Sequence, residues 1–264
     1  MSRRKRFLDW LMTLCILGNG GLYAQDAQEL WTPGSFSGWH IIVLDAGRVA
    51  PTDQEVFTWE DSVLHVYGAA AAGSEQVFAE LVTDSLYANY RLMLEYRWGK
   101  KKFRPRHEFV RDAGVVVHVF DTTAFWASGI ECQIQEGDTG DAWLIGARGA
   151  STVQPVVRNF DPDGRPEMRG GEAGQRFARF HRAYSWERPG WNEVVIEAIE
   201  DTVSFLVNGH LVNRVTRLQR PSADSGEWVP LRRGHILLQA EGAEVFYRRL
   251  RLTPLPLRGY SRTP

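Results

Sequence analysis

Residues 193–215 read EVVIEAIEDTVSFLVNGHLVNRV. Two apolar runs, Val203 to Val207 and Leu211 to Val215, flank Asn208-Gly209. Asn-Gly between apolar runs is the strongest short hairpin signal, because a type I′ turn needs positive φ at both central residues. Glu193 to Ile199 precedes them across a short polar turn, so three antiparallel strands follow one another. Similar short segments, rich in β-branched and aromatic residues, recur on both sides. They are Trp39 to Leu44, Val63 to Tyr67, Val77 to Val82, Tyr90 to Trp98, Val115 to Phe120, Ile130 to Gln135, Ile236 to Gln239 and Val245 to Leu252. No long stretch sustains a 3.6-residue period; Gln154 to Asn159 is the single candidate helical turn. Around a dozen strands without an internal repeat exclude a propeller and predict an all-β fold. The expected architecture is a two-sheet antiparallel jelly-roll sandwich. The concave face of such a sandwich can hold a saccharide.

Composition narrows the function classes. The 264 residues carry a formal net charge of −1, which argues against a nucleic-acid binder. Met1 to Ala24 has the layout of a secretory signal peptide. Arg3, Arg4, Lys5 and Arg6 precede an apolar run from Phe7 to Leu17 that is too short to span a bilayer. Residues 1–24 are therefore read as a signal peptide and 25–264 as a single β-sandwich domain. The mature protein would be exported, periplasmic or extracellular, with no stable membrane span. Cleavage removes Cys15 and leaves Cys132 alone, so no internal disulfide is expected. The ten Trp residues point to a β-rich core, a carbohydrate-facing surface, or both. Trp126, Trp143 and Trp186 lie in or near loops and are the candidates for stacking on a sugar ring.

The chemistry-bearing residues fall on few strands. Residues 128–141 read SGIECQIQEGDTGD. Strand alternation turns Ile130, Cys132 and Ile134 to the core, and Glu131 and Gln133 to the other face. One bulge would bring Glu136 to that polar face. Glu-x-Gln-x-x-Glu resembles the Glu-x-Asp-x-x-Glu active strand of laminarinase-type β-glucanases, with Gln133 at the middle carboxylate. A retaining glycosidase needs its two carboxyls at about 5–5.5 Å. His118 is expected on the same face as Val116 and Phe120, close to Glu131, where His and Glu could serve as a base and acid pair. Gln239 and Glu241 share a face further on. Gly99 to Arg111 is a basic loop that could attract an anionic or highly hydroxylated ligand. Asp138 and Asp141 are hard oxygen donors that would suit a divalent metal ion such as calcium. No HExxH, GxSxG or phosphate-binding loop is present, which excludes common zinc-protease, hydrolase and nucleotide-cofactor readings.

The chain resembles the 3-keto-disaccharide hydrolase family of exported bacterial proteins. The matching stretches run through residues 35–255. They include FSGWHI (36–41), YRWGKKKFRPR (96–106), RDAGVVVHVF (111–120), GIECQIQEGDTGDAWLIG (129–146), PGWNEVVIEA (189–198), FLVNGHLVN (205–213) and GHILLQAEGAEVFYRRLRL (234–252). One departure is Asp112-Ala113-Gly114, where many members have Asn-Ser-Gly. The resemblance implies a concanavalin-like jelly roll acting on a glycoside already oxidised to a ketone at C3. The ketone acidifies C2–H, a base removes that proton, and the enolate expels the anomeric oxygen. On this reading Glu131 and His118 are the acid and base. Gln133 and Gln239 contact the sugar or enolate, Glu136 and Glu241 support or bind substrate, Trp143 and Arg111 border it, and Asp138 is a candidate metal ligand. The alternatives are a non-catalytic carbohydrate-binding module and a retaining β-glucanase.

Overall fold

The computed structural model describes residues 26–43 and 56–256. The segment read as a signal peptide lies outside them. Eighteen strands form two antiparallel sheets among the described residues. One sheet has seven strands, in the order β12 (Phe177–Phe180), β9 (Ala142–Ile145), β8 (Ser128–Gln135), β7 (Asp112–Asp121), β17 (His235–Ala240), β5 (Ala79–Thr83) and β2 (Trp39–Val43). The other sheet follows the order β11 (Arg165–Arg169), β10 (Arg148–Val153), β15 (His210–Pro221), β14 (Thr202–Val207), β13 (Asn192–Ile199), β6 (Tyr90–Lys102), β18 (Ala243–Pro254), β4 (Val63–Val66) and β3 (Phe57–Glu60). It is completed by β1 (Gln28–Glu29) on β18 and β16 (Trp228–Pro230) on β15. This is the predicted all-β, jelly-roll-like sandwich. No helix among the described residues is long and apolar enough to cross a membrane.

The Asn208-Gly209 hairpin forms as expected. Asn208 and Gly209 both have positive φ, 49° and 82°, and Val207 pairs with His210. The segment 154–159 is a turn rather than a helix; the Gln154 side chain accepts from the backbone N–H groups of Val156 and Val157. The two sheets bury a common core in which Leu92, Leu94 and Tyr96 of β6 and Val194 and Ile196 of β13 meet Val115 and Val117 of β7 and Ile130, Cys132 and Ile134 of β8. Alternation along β8 therefore delivers Glu131, Gln133 and Gln135 to the opposite face, where the site lies.

Candidate active site

That outer face of the seven-stranded sheet carries a cleft of about 450 Å³. Cross-strand register builds its floor. Arg179 pairs with Trp143, Trp143 with Glu131, and Glu131 with Val116, so these side chains form one row across β12, β9, β8 and β7. The neighbouring rows place Gln133 opposite Gly114 and Gln135 opposite Asp112. Glu241, at the turn after β17, and Arg106, on the loop after β6, close the polar side. Across the cleft stands the strap that joins β7 to β8 and carries Trp126. Arg176 donates to the carbonyls of Phe125 and Trp126, and the buried Glu80 accepts the N–H of Ala127 at 3.0 Å.

Asp112 is the hub of the polar side. Arg106 and the Gln133 amide donate to it, and the Gln135 amide donates at 2.8 Å. Arg106 also reaches Glu241, at 3.4 Å. Asp112, Glu131, Glu241 and Glu80 are all buried, and burial disfavours the charged form of each. Glu131 is pushed well above the usual carboxylate range by burial and by the charges of Asp112 and Glu80, against the pull of Arg179 and Arg106. Glu241 is raised in the same way by burial, Asp112 and Glu131. Burial raises Asp112 as well, but Arg106 and its amide donors oppose it. Of the three, Asp112 is thus the one most directly held as an anion. Glu80 is pushed up to about 7 by burial.

Gly114 makes this crowding sterically feasible. A Cβ there would lie 1.9 Å from Gln239 Oε1 and 2.3 Å from Glu131 Oε1. Both oxygens therefore occupy the space that a side chain would take. Arg179 is fixed from behind: its Nε donates to the fully buried Asp141 at 2.5 Å, its Nη2 reaches Asp138 at 3.2 Å, and its guanidinium lies over Trp143 at 5.1 Å.

Several expectations are corrected. His118 does not join Glu131. It has φ 52°, and the β7–β8 register shifts there. The bulge places His118 on the inner face, edge-on to Tyr90 at 6.3 Å, and turns Val119 outward instead. Burial lowers its pKa to about 4, so it is a neutral core residue. Glu136 lies beyond the end of β8 and forms a two-point ion pair with Arg111. The pair borders a separate hollow beside Trp98 and Glu187, so neither residue faces the cleft and the Glu131/Glu136 pair of a glucanase is not formed. Asp138 bonds to Arg179 and Arg182 (2.8 Å to the latter). Asp141 is likewise taken up by Arg179, Arg182 and His181. Their lone pairs are committed to guanidinium and imidazole groups, which does not fit a metal site. Among the described residues no group of three or more His, Cys, Asp or Glu side chains is placed to hold a metal ion. Trp186 stacks on His210 at 3.5 Å, away from the cleft. Gln133 spends its amide N–H on Asp112, and Gln239 is buried, its Oε1 seated over Gly114 beside Glu131 rather than open to a ligand. Glu131, Glu241, Gln133, Trp143 and Trp126 do converge on one cleft.

The sequence reading missed Arg106, Asp112, Arg179 and Glu80 as a set. Glu80 had a signal, a lone charge inside the apolar run Val77 to Val82. Arg179 sits on a four-residue strand, too short for alternation to declare itself.

A family model described as a 3-keto-alpha-glucoside-1,2-lyase-like domain matches residues 26–253. No curated protein matches the chain. Among solved structures, a candidate glycosyl hydrolase from Parabacteroides distasonis ATCC 8503 aligns with a TM-score of 0.51 at 16% identity, covering 87% of this chain and 100% of that one. A carbohydrate-binding module from Bacillus subtilis aligns at 0.45 and 10% identity, over 82% of this chain and 95% of the module. A β-1,3-1,4-glucanase derived from a mouse hindgut metagenome aligns at 0.45 and 10% identity, over 88% of this chain and 100% of that one. Identities this low speak for the fold alone.

Proposed function

The chain belongs to the 3-keto-alpha-glucoside-1,2-lyase-like domain family, which gives it a carbohydrate-related function, and from that premise we propose that it is an enzyme cleaving 3-keto-glycosides by C2 proton abstraction and elimination at C1. The observation that carries this is Glu131. It is a buried carboxyl that opens into the cleft beside Trp143 and takes no hydrogen bond from any described residue. Its pKa is raised by burial and carboxylate neighbours. A carboxyl so raised is a better base than an exposed one, because its conjugate acid is weaker. Arg179 keeps its ionised form accessible.

The ketone at C3 makes C2–H acidic, and Glu131 removes it. The developing enolate oxygen needs donors already in place. Arg106, held by Asp112, supplies them, while Glu241, kept neutral by burial and by the negative charge of Asp112 and Glu131, gives its one proton to Asp112 and so holds the anion that positions Arg106. A buried carboxylic acid that stays protonated can donate where an exposed one could not. The enolate then expels the substituent at C1, and the same Glu131 returns the proton to the departing oxygen on the adjacent atom. Water adding to the resulting enone completes a net hydrolysis. Gln133 and Gln135 hold Asp112 through their amide N–H groups and leave their carbonyl oxygens for sugar hydroxyls. A face that only bound sugar would have no need of three buried carboxyls in one cleft. The layout of residues 1–24 supports export, so we place this reaction outside the cytoplasm.

The test is to incubate the protein with 3-keto-trehalose and with 3-keto-glucosides, with and without chelator, and to follow loss of the substrate. The expected result is chelator-insensitive cleavage that Glu131→Gln abolishes. Full turnover by Glu131→Gln overturns the assignment.

A further inference from the structure

The cleft is polar at one end and apolar at the other, and strand β8 runs from one to the other. Its outward positions are Gln135, Gln133, Glu131 and Gly129, each about 7 Å from the next at a rise of roughly 3.3 Å per residue. At the Gln133/Gln135 end lie Asp112, Arg106 and Glu241. Beyond Glu131 the character changes. Gly129 has no side chain, its partner on β9 is Ile145, and the partner of Ile145 on β12 is Phe177. Trp126, on the strap, also lines the cleft. The strap is fixed at this end, because Arg176, next to Phe177, donates to the carbonyls of Phe125 and Trp126. Phe177 is 42% exposed although it stands on a strand of the sheet. The Arg176 guanidinium lies 5.4 Å from the centre of its ring, and a ligand crossing the cleft mouth would cover the area that stays open.

We infer that the group expelled from C1 is a flat, apolar aglycone of the phenol class, seated between Trp126 and Phe177 over Ile145. This rests on the reading of the cleft as a 3-keto-glycoside site. The keto ring takes the polar half, with its C3 oxygen toward Arg106, so that C1 points toward Ile145. The chemistry agrees with the placement. Glu131 takes the C2 proton, the C2 electron pair forms the C1=C2 bond as the C1–O bond breaks, and the phenolate leaves and receives the proton from Glu131. Trp126, Ile145 and Phe177 supply no second acid at that end. A phenolate departs with little protonation, whereas a sugar alkoxide would need it.

Two measurements test this. The first compares kcat/KM for the 3-keto derivatives of phenyl glucoside and of trehalose, in the protein and in Phe177→Ala, whose exposed position makes it safe for folding. The phenyl substrate is expected to be preferred. The phenyl-to-trehalose ratio should fall about tenfold in the variant, the factor expected from losing one aromatic face of contact. A parallel fall for both substrates, or an unchanged ratio, overturns the inference. The second titrates tryptophan fluorescence with unoxidised phenyl glucoside and with trehalose, which requires no turnover. Tighter binding of phenyl glucoside that Phe177→Ala abolishes supports the aglycone seat even if neither keto-substrate is cleaved, an outcome that would count against the proposed reaction alone. Equal binding of the two overturns the seat whatever the catalytic result.

Discussion

Gly114→Ala is the most incisive perturbation of the cleft. Gly114 is absent from the positive-φ positions, and alanine is the better strand residue, so backbone conformation gives no reason for harm. The harm is steric. The new methyl would lie 1.9 Å from Gln239 Oε1, 2.3 Å from Glu131 Oε1 and 2.9 Å from the Gln239 carboxamide carbon. Ordinary contact begins near 3.4 Å, so the two oxygens must retreat by about 1.5 Å and about 1.1 Å respectively. Gln239, 1% exposed, has little room to do so, and Glu131 can retreat only by swinging out into the cleft and away from its present seat. Overpacking of this kind costs roughly 1–3 kcal/mol. Misplacing a catalytic group by about 1 Å costs about 10²-fold in rate. We therefore expect a folded protein with a lowered Tm and a kcat/KM on 3-keto-glucosides reduced about 10²-fold, measured by thermal denaturation and steady-state kinetics. Retention of full kcat/KM and Tm would refute the claim that the Glu131 and Gln239 oxygens are seated over Gly114.

Four further outcomes follow from the same geometry. Glu80 is raised to about 7 in the fold from an unfolded value near 4.3, so it binds more protons folded than unfolded. Its penalty is absent below pH 4, grows as pH rises toward 7, and is complete above it. Glu80→Gln keeps an acceptor for Ala127 and should stabilise the protein by up to about 3 kcal/mol at pH 8 and by little at pH 4, as read by denaturant unfolding at both pH values. Asp112→Asn removes the charge that raises Glu131 and Glu241, so the acid limb of the pH–kcat/KM profile should move to lower pH. Asp141→Ala leaves Arg179 and Arg182 without their buried partner and should cost about 3–5 kcal/mol of stability, together with a loss of kcat/KM, in unfolding and kinetic assays. Glu136→Gln, outside the cleft, should leave turnover unchanged, which a glucanase using that carboxyl could not tolerate.

The fold was legible because its signals are local. The Asn208-Gly209 turn, the alternation along β6 and β8, and the apolar runs each depend on a few consecutive residues. The short strands β9 and β12 carry too few residues to show a period, and they are the ones that bring Trp143, Arg179 and Phe177 to the cleft. The face assignment of Glu131 and Gln133 was legible by the same alternation that misplaced His118. The bulge at His118 inserts one residue, and nothing in AGVVVHVF marks where the strand absorbs it. Glu136 shows the converse: a strand that stops at Gln135 cannot return it to the face. The charge network was least legible, because Arg106, Asp112, Arg179 and Glu80 lie far apart in sequence and meet only through sheet register and the packing of the loop after β6. Asp112 did stand out in sequence, as a departure from Asn-Ser-Gly, but its role depends on partners that register alone reveals.

The central claim is that Glu131 removes the C2 proton of a 3-keto-glycoside. Its most direct test is deuterium exchange at C2 of methyl 3-keto-glucoside in D2O, followed by NMR and corrected for the protein-free rate. Methoxide is a poor leaving group, so exchange is seen apart from cleavage. Protein-dependent exchange is expected, falling by about 10²–10⁴-fold in Glu131→Gln. Undiminished exchange in that variant would contradict it.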